Sequence, residues 1–289
     1  MTVDCILPCY REDDGSVART VLACLEQDYP VRRIYLVDDG SPVPLKLAEG
    51  VACDERVVLL RREQNGGISR ARNFAAGCSD ADAYLFLNCD NLLDRQWLTR
   101  CVGHLRTSSH IGAVTGRLRV ARPEDLLSQW RMRFIENKQQ LREEPGEISY
   151  ATGHAVLISR EAFERVGGYD PDFHRTHEDW DICRRMRQKG YVTYYDPSVA
   201  ILSAQKDTVS LLASCVIRHS GWSLDPRLTE DAVLRPMNRP RALWDASRGF
   251  LMRVGRNVAK MRFRFVMVDW QVFVRSITMI WGCGTGTRN

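Results

Sequence analysis

Short apolar runs alternate with helical patterns through the first half of the chain, and each run ends in polar residues. Val3 to Leu7, Arg33 to Val37, Arg56 to Leu60 and Ala83 to Leu87 read as strands, with Ser16 to Gln27 and Ile68 to Ala76 as helices between them. In the first helix Val17, Val21, Leu22 and Leu25 recur at helical spacing. This alternation predicts an α/β fold with a mostly parallel central sheet flanked by helices. Open sheets of this class bind ligands outside the carboxyl ends of their strands, so the polar strand exits are the places to look for chemistry.

Farther along, Ile111 to Thr115, Ala151 to Ile158 and Tyr191 to Tyr195 read as strands. Arg160 to Val166 and Glu178 to Lys189 read as helices stopped by Gly167-Gly168 and Gly190. The polar stretch from Glu124 to Glu147 predicts one helix and a loop. Residues 1–215 are expected to form one domain and residues 216–289 a basic, helical C-terminal extension.

The 289 residues, 44% hydrophobic and 27% charged, suffice for a substantial core and exclude a disordered chain. The net charge of +5 is too mild for a nucleic-acid binder, so no nucleic-acid partner is expected. It is also unevenly placed: from Arg241 onward nine basic residues face only Asp245 and Asp269, a local +7 that leaves the preceding part at −2. The ten cysteines form no C-x-x-C pair and have no histidine cluster beside them, which predicts reduced thiols and a cytoplasmic protein. The amino terminus has no basic segment leading into a long apolar run, so no secretory signal is expected. No stretch offers the ~20 uninterrupted apolar residues of a spanning helix.

Four constellations carry candidate chemistry. Pro8-Cys9-Tyr10-Arg11-Glu12 and Val37-Asp38-Asp39-Gly40-Ser41 are strand ends where carboxylates could accept from a base N–H or ribose hydroxyl and Tyr10 could stack on a base; Asp-Gly-Ser is equally ordinary turn chemistry. Asn65-Gly66-Gly67 leading into Arg70 and Arg72 suits an anion, or is a helix start with a solvated basic face. Asn88-Cys89-Asp90 places a carboxylate at a strand exit, where a hard divalent cation needs only one or two carboxylates plus phosphate oxygens; the plain reading is an Asx-turn. Thr176-His177-Glu178-Asp179-Trp180-Asp181 heads a helix. It offers a general base at the mouth of a cleft with Trp180 as a wall, or a capping box. No Walker loop and no G-x-G-x-x-G follows the first strand, which leaves a dinucleotide oxidoreductase poorly supported.

The order of these motifs over residues 3–215 resembles the family 2 inverting glycosyltransferases, which have the GT-A fold. The resemblance implies a donor-binding half, 1–120, and an acceptor-binding half, 121–215. It places Asp38, Asp39, Pro8, Tyr10 and Glu12 around the nucleotide, Gly67, Arg72 and Asn88 near the donor, and Asp90 on Mg2+ or Mn2+. Asp179 matches the family's catalytic base, with Glu178 in support and Trp180 and His177 on the acceptor side. Two departures stand out. Asn88 replaces the first acid of the D-x-D motif, and the histidine that many relatives carry before a segment like Lys206-Asp207-Thr208 is missing.

The implied reaction moves a sugar, with UDP as the first expected carrier, to a hydroxyl of a glycan, lipid-linked or small-molecule acceptor in one metal-assisted displacement. The alternative is a catalytically impaired GT-A relative that holds a nucleotide or serves as a scaffold. In the extension, Phe250, Val254, Val258, Met261, Phe265, Val268 and Val272 step by three or four, with Arg253, Arg256, Lys260 and Arg264 on another face. Such a basic amphipathic helix would lie on the inner face of a membrane through residues 248–281, or pack on the protein or into a homodimer.

Overall fold

The computed structural model describes residues 1–136, 138–173, 177–220 and 239–282. In chain order the elements are β1 (Val3–Cys9), α1 (Asp14–Leu25), β2 (Arg33–Asp38), α2 (Glu49–Ala52), β3 (Val57–Arg61), α3 (Ile68–Ala76), β4 (Ala83–Leu87), β5 (Asn91–Leu93) and α4 (Trp97–Thr107). They continue with β6 (Ile111–Val120), α5 (Leu126–Phe134), β7 (Gly146–Ile148), β8 (Ala155–Ser159), α6 (Arg160–Arg165), α7 (Glu178–Gln188), β9 (Val192–Ser203), α8 (Val209–Ser220), α9 (Arg239–Ala259) and α10 (Phe263–Gly282). Two compact units result, one of Met1–Ala121 with Asn137–Gln205, the other of Arg122–Glu136 with Lys206–Asn289.

In the first unit the strands run in the order β3-β2-β1-β4-β8-β6-β9-β5, with β7 beside β9. The block β3-β2-β1-β4 is parallel, as the sequence predicts. Beyond it β8 is antiparallel to both β4 and β6, and the sheet becomes mixed. β4 and β8 are apolar and buried over nearly their whole length, so helices must cover both faces. On one face Phe86, Phe163 and Tyr169 cluster, with Phe86 stacked on Phe163 at 5.3 Å and edge-on to Tyr169 at 5.0 Å. Order reverses at β1: the chain steps from β1 to β2 and β3 on one side, then crosses to β4 on the other. The exits of β1 and β4 therefore flank the switch point, where a crevice opens in such sheets.

The sequence reading passes over α4, although Trp97, Leu98, Cys101, Val102 and Leu105 are all buried at helical spacing. It also stops β9 at Tyr195, whereas the strand runs on to Ser203 past a register shift in its pairing with β6.

The second unit is helical. Trp130 of α5, Leu212 of α8 and Phe265, Val268 and Val272 of α10 share one core. At its centre Asp269, fully buried, accepts from Trp130 Nε1 at 2.9 Å, Asn257 Nδ2 at 2.8 Å and Arg253 Nε at 3.1 Å. A buried carboxylate is tolerable because it is paired and hydrogen-bonded in this way. The single amphipathic helix expected over 250–272 is in fact two: Met261, at φ 51°, turns the chain between α9 and α10. Phe265, Val268 and Val272 thereby turn inward, away from any outer apolar face.

Candidate functional site at the strand exits

The β1 exit is built by register and by a left-handed residue. Pro8 lies opposite Val37 in the sheet, and Arg11, at φ 58°, donates its N–H to Ser41 Oγ at 3.0 Å. Tyr10 is left half exposed, with the Arg11 guanidinium 5.1 Å from its ring centre.

At the β2 exit both carboxylates are engaged by the protein. Asp38 Oδ1 accepts from the Ser41 N–H at 2.9 Å, Oδ2 accepts from Leu45 N–H at 3.2 Å, and Arg61 pairs with it. Burial opposes ionisation of Asp38, but the Ser41 bonds and Arg61 outweigh it and hold the carboxyl below the usual range. Here the turn reading of Asp-Gly-Ser describes the local structure. Asp39 fastens the glycine loop: its carboxylate accepts from Gly67 N–H at 2.8 Å and Gly66 N–H at 3.1 Å and pairs with Arg62. Gly40, at φ 71°, permits this approach, since a Cβ there would lie 2.6 Å from the Asn65 nitrogen.

The β4 exit carries Asn88, Cys89 and Asp90. Thr20 Oγ1 of α1 donates to the Cys89 carbonyl at 2.8 Å, and the buried Cys89 thiol lies against the Cys9 thiol of β1, joining the two strand ends across the switch. Both are free thiols, as are all the described cysteines. Asp90 is partly exposed and faces Glu12. Loss of hydration and the charges of Asp90 and Asp13 push the Glu12 carboxyl up.

Arg72 links this exit to the catalytic candidates. The resemblance sets it beside a donor; the structure buries its side chain completely, under the Tyr169 ring at 5.0 Å. Its guanidinium donates to Glu178 Oε1 at 2.9 Å, to Asn88 Oδ1 at 3.1 Å and to the Gly153 carbonyl at 3.1 Å. The N–H of that same Gly153 donates to Asp179 Oδ2 at 2.9 Å. Asp179 Oδ1 accepts from the Trp180 N–H at 2.7 Å, and the carboxylate stays partly exposed. His177 begins α7 in the left-handed region, at φ 69°, without a side-chain cap; Thr176 and with it the capping-box reading lie outside the described residues. The third carboxylate of the turn, Asp181, is buried against Arg185 at 2.7 Å and Arg184 at 3.0 Å. Trp180 is partly exposed, with Arg184 5.8 Å from its ring.

Glu178 is the perturbed acid of the group. Burial, then the charge of Asp179, push its carboxyl up to about 7 against the opposing pull of Arg72. A carboxyl raised on folding holds a proton that the unfolded chain releases, so its contribution to stability falls as pH rises from about 4.5 to about 7. Glu178→Gln should remove that component. Urea denaturation at pH 5 and pH 7.5 reads it, the wild type losing more stability between the two than the variant.

Asn88, Arg72, Gly153, Glu178 and Asp179 thus form one bonded chain, and Asp39, Cys9 and Cys89 a second, through the Asp39 N–H to the Cys9 carbonyl at 2.9 Å. The two chains meet at the β4 exit. A cavity of about 730 Å³ opens at the β1 exit, lined by Cys9, Arg11, Glu12, Asp13, Asp14 and the 41–46 segment. Neither Asp39 nor Asp179 lines it. Among the described residues no three His, Cys, Asp or Glu side chains gather as a metal cage. The acidic pair Asp90 and Glu12 instead suits a hard cation that completes its shell with phosphate oxygens. Gly153 is the residue that the sequence reading missed. Gly153 sits in the stretch Ala151 to Ile158 that the sequence offers as a strand, where an isolated glycine signals close backbone approach, and a Cβ there would lie 3.1 Å from Arg72 Nη2 and 3.3 Å from Glu178 Oε1.

The model of Glycosyl transferase family 2 matches residues 4–167. The pre-mycofactocin glycosyltransferase of Mycobacterium tuberculosis (strain ATCC 25618 / H37Rv) is 30% identical over 176 residues, 57% of this chain and 36% of that protein. An N-acetylglucosaminyltransferase of Rhizobium meliloti (strain 1021) is 24% identical over 225 residues, 72% of this chain and 52% of that one. The chain spans only about a third to a half of the length of these curated relatives. Among solved structures, the mannosyltransferase PcManGT from Pyrobaculum calidifontis in complex with GDP-Man and Mn2+ matches with a TM-score of 0.61 at 19% identity, over 97% of this chain and 87% of that one. GalNAc-T7 with UDP, GalNAc and Mn2+ matches at 0.58 and 17% identity, over 77% and 48%. These likenesses fix the fold as that of the GT-A glycosyltransferases, and the match over residues 4–167 shows that the chain belongs to glycosyltransferase family 2.

Proposed function

We propose that the chain transfers a sugar from a nucleotide diphosphate sugar, a UDP-sugar first among them, to an acceptor hydroxyl in one displacement that inverts the anomeric carbon. The observation that carries this reading is the bonded chain from Asn88 through Arg72 and Gly153 to Asp179. It ties the base candidate to the strand exit that presents Asp90. Residues 1–120 supply the donor side and 121–215 the acceptor side.

The donor's base packs by Pro8 and Tyr10, whose ring is exposed for stacking, while Asp38 and Asp39 shape the pocket by holding the 41–45 and 66–67 loops. Asp90, with Glu12 nearby, would hold Mg2+ or Mn2+. When bound, such a cation offsets the charge of the departing diphosphate. Asn88 orients its amide through Arg72 and contributes no charge. Asp179 removes the acceptor's proton as the new bond to carbon forms, its carboxylate aimed by Gly153 and the Trp180 N–H. Glu178 stays buried beside it, and Trp180 and His177 border the acceptor. The surviving Asp90 and Asp179 favour an active enzyme over a nucleotide-holding scaffold.

Thermal shift across UDP-, GDP- and dTDP-sugars with Mg2+ or Mn2+ tests this. A ligand of the native state at 100 times its Kd adds ~2.7 kcal/mol of stability. One nucleotide class should raise the melting temperature, more with metal than without; no shift with any sugar nucleotide would overturn the reading.

A further inference from the structure

Helix α10 is apolar on two opposite sides. One side, Phe265, Val268 and Val272, is buried in the helical unit. On the other, Phe263, Met267, Trp270 and Val274 follow at steps of four, three and four and are 60, 61, 56 and 40% exposed. The last turn of α9 adds Val258, and the turn that leads into α10 adds Met261, which is 80% exposed. Packing within the unit accounts for the first stripe and leaves the second facing outward.

The charges around this stripe have one sign. From Ala246 to Ile280 the only acidic residue is Asp269, which is buried and paired with Arg253, whereas Arg248, Arg256, Lys260, Arg264 and Arg275 are all exposed. An apolar stripe flanked only by cations suits a surface that offers both hydrocarbon and anions. We propose that the outer face of α10 and the turn before it dock on the anionic headgroup layer of a lipid bilayer, with Trp270 and Met267 at the acyl boundary and the cations at lipid phosphates. A second copy of the chain fits less well, because an isologous contact would set the same cations against one another. The face lies on the surface of the bilayer and does not cross it, since no helix among the described residues is long and apolar enough to span. This inference stands apart from the sugar-transfer reading.

Co-sedimentation of the full chain with vesicles of phosphatidylcholine, with and without phosphatidylglycerol, tests it. The protein should pellet with the anionic vesicles and stay in solution with the neutral ones, and raised salt should release it. Lys260→Gln with Arg264→Gln should weaken partition by roughly 5-fold per lost cation, and Met267→Ser with Trp270→Ser should weaken it further. All four positions are exposed, so the melting temperature of each variant should match the wild type. Failure to pellet, equal pelleting with both vesicle types, or a concentration-dependent dimer that Trp270→Ser dissolves would each overturn the proposal.

Discussion

Asp179→Asn should lower kcat by roughly 10²- to 10⁴-fold, the range of a positioned acid–base group, while the thermal shift produced by the sugar nucleotide stays as in the wild type. The substitution is nearly isosteric. The amide oxygen can still accept from the Gly153 N–H, now at 2.9 Å from the carboxylate, so the Gly153 loop stays held, while the amide NH2 cannot accept from the Trp180 N–H and that one bond is lost together with the proton acceptor. Steady-state kinetics beside donor titration separates the two effects. Unchanged turnover would place the base elsewhere and leave the donor pocket standing; a lost donor shift would instead implicate Asp179 in binding.

The second large effect belongs to Arg72. Arg72→Met should destabilise the first unit by about 3–5 kcal/mol, the cost of breaking a buried ion pair from one side. It strands three acceptors at once, Glu178, the Asn88 amide and the Gly153 carbonyl. Because the Glu178 carboxyl is already pushed up to about 7, protonation can relieve part of that loss, and the penalty should be smaller at pH 5.5 than at pH 8. Arg72→Lys retains the charge without the planar fork and should recover only part of the stability. Equilibrium denaturation at the two pH values checks the order of the three proteins. Equal stability of Arg72→Met and the wild type would mean that the buried guanidinium is not what joins the strand exit to α7.

The parallel core was legible because each of its strands is an apolar run bounded by polar exits, buried in β1, β2 and β4 and part-exposed in the edge strand β3, and the Ile68–Ala76 helix matches the sequence expectation to the residue. The antiparallel entry of β8 was not legible. Ala155–Ser159 is as apolar as a parallel strand, and direction is set by the long connection that precedes it rather than by its own residues. The site was half visible. Residue types showed where Asp39, Asp90 and Asp179 stand, but not that Asp39 fastens the glycine loop or that Arg72 lies inward under Tyr169. Those facts depend on partners more than 25 residues away in the chain, and Gly153, the peptide on which two of the contacts converge, carries no side chain to announce itself. In the tail the 3.6-residue period was genuine, yet one residue at positive φ, Met261, was enough to turn part of the apparent outer stripe into core.

The helical unit borrows α5 from the middle of the sequence, and this bears on how the protein can be divided. A truncation after Gln205 would leave the Trp130 indole N–H without Asp269 and the Arg131 guanidinium without Asp207, exposing a tryptophan that is otherwise wholly buried. Excising the sheet-bearing part cleanly therefore takes two deletions, Arg122–Glu136 and everything after Gln205, with a bridge from Ala121 to Asn137, and a fragment made with the second deletion alone would aggregate through the abandoned face of α5.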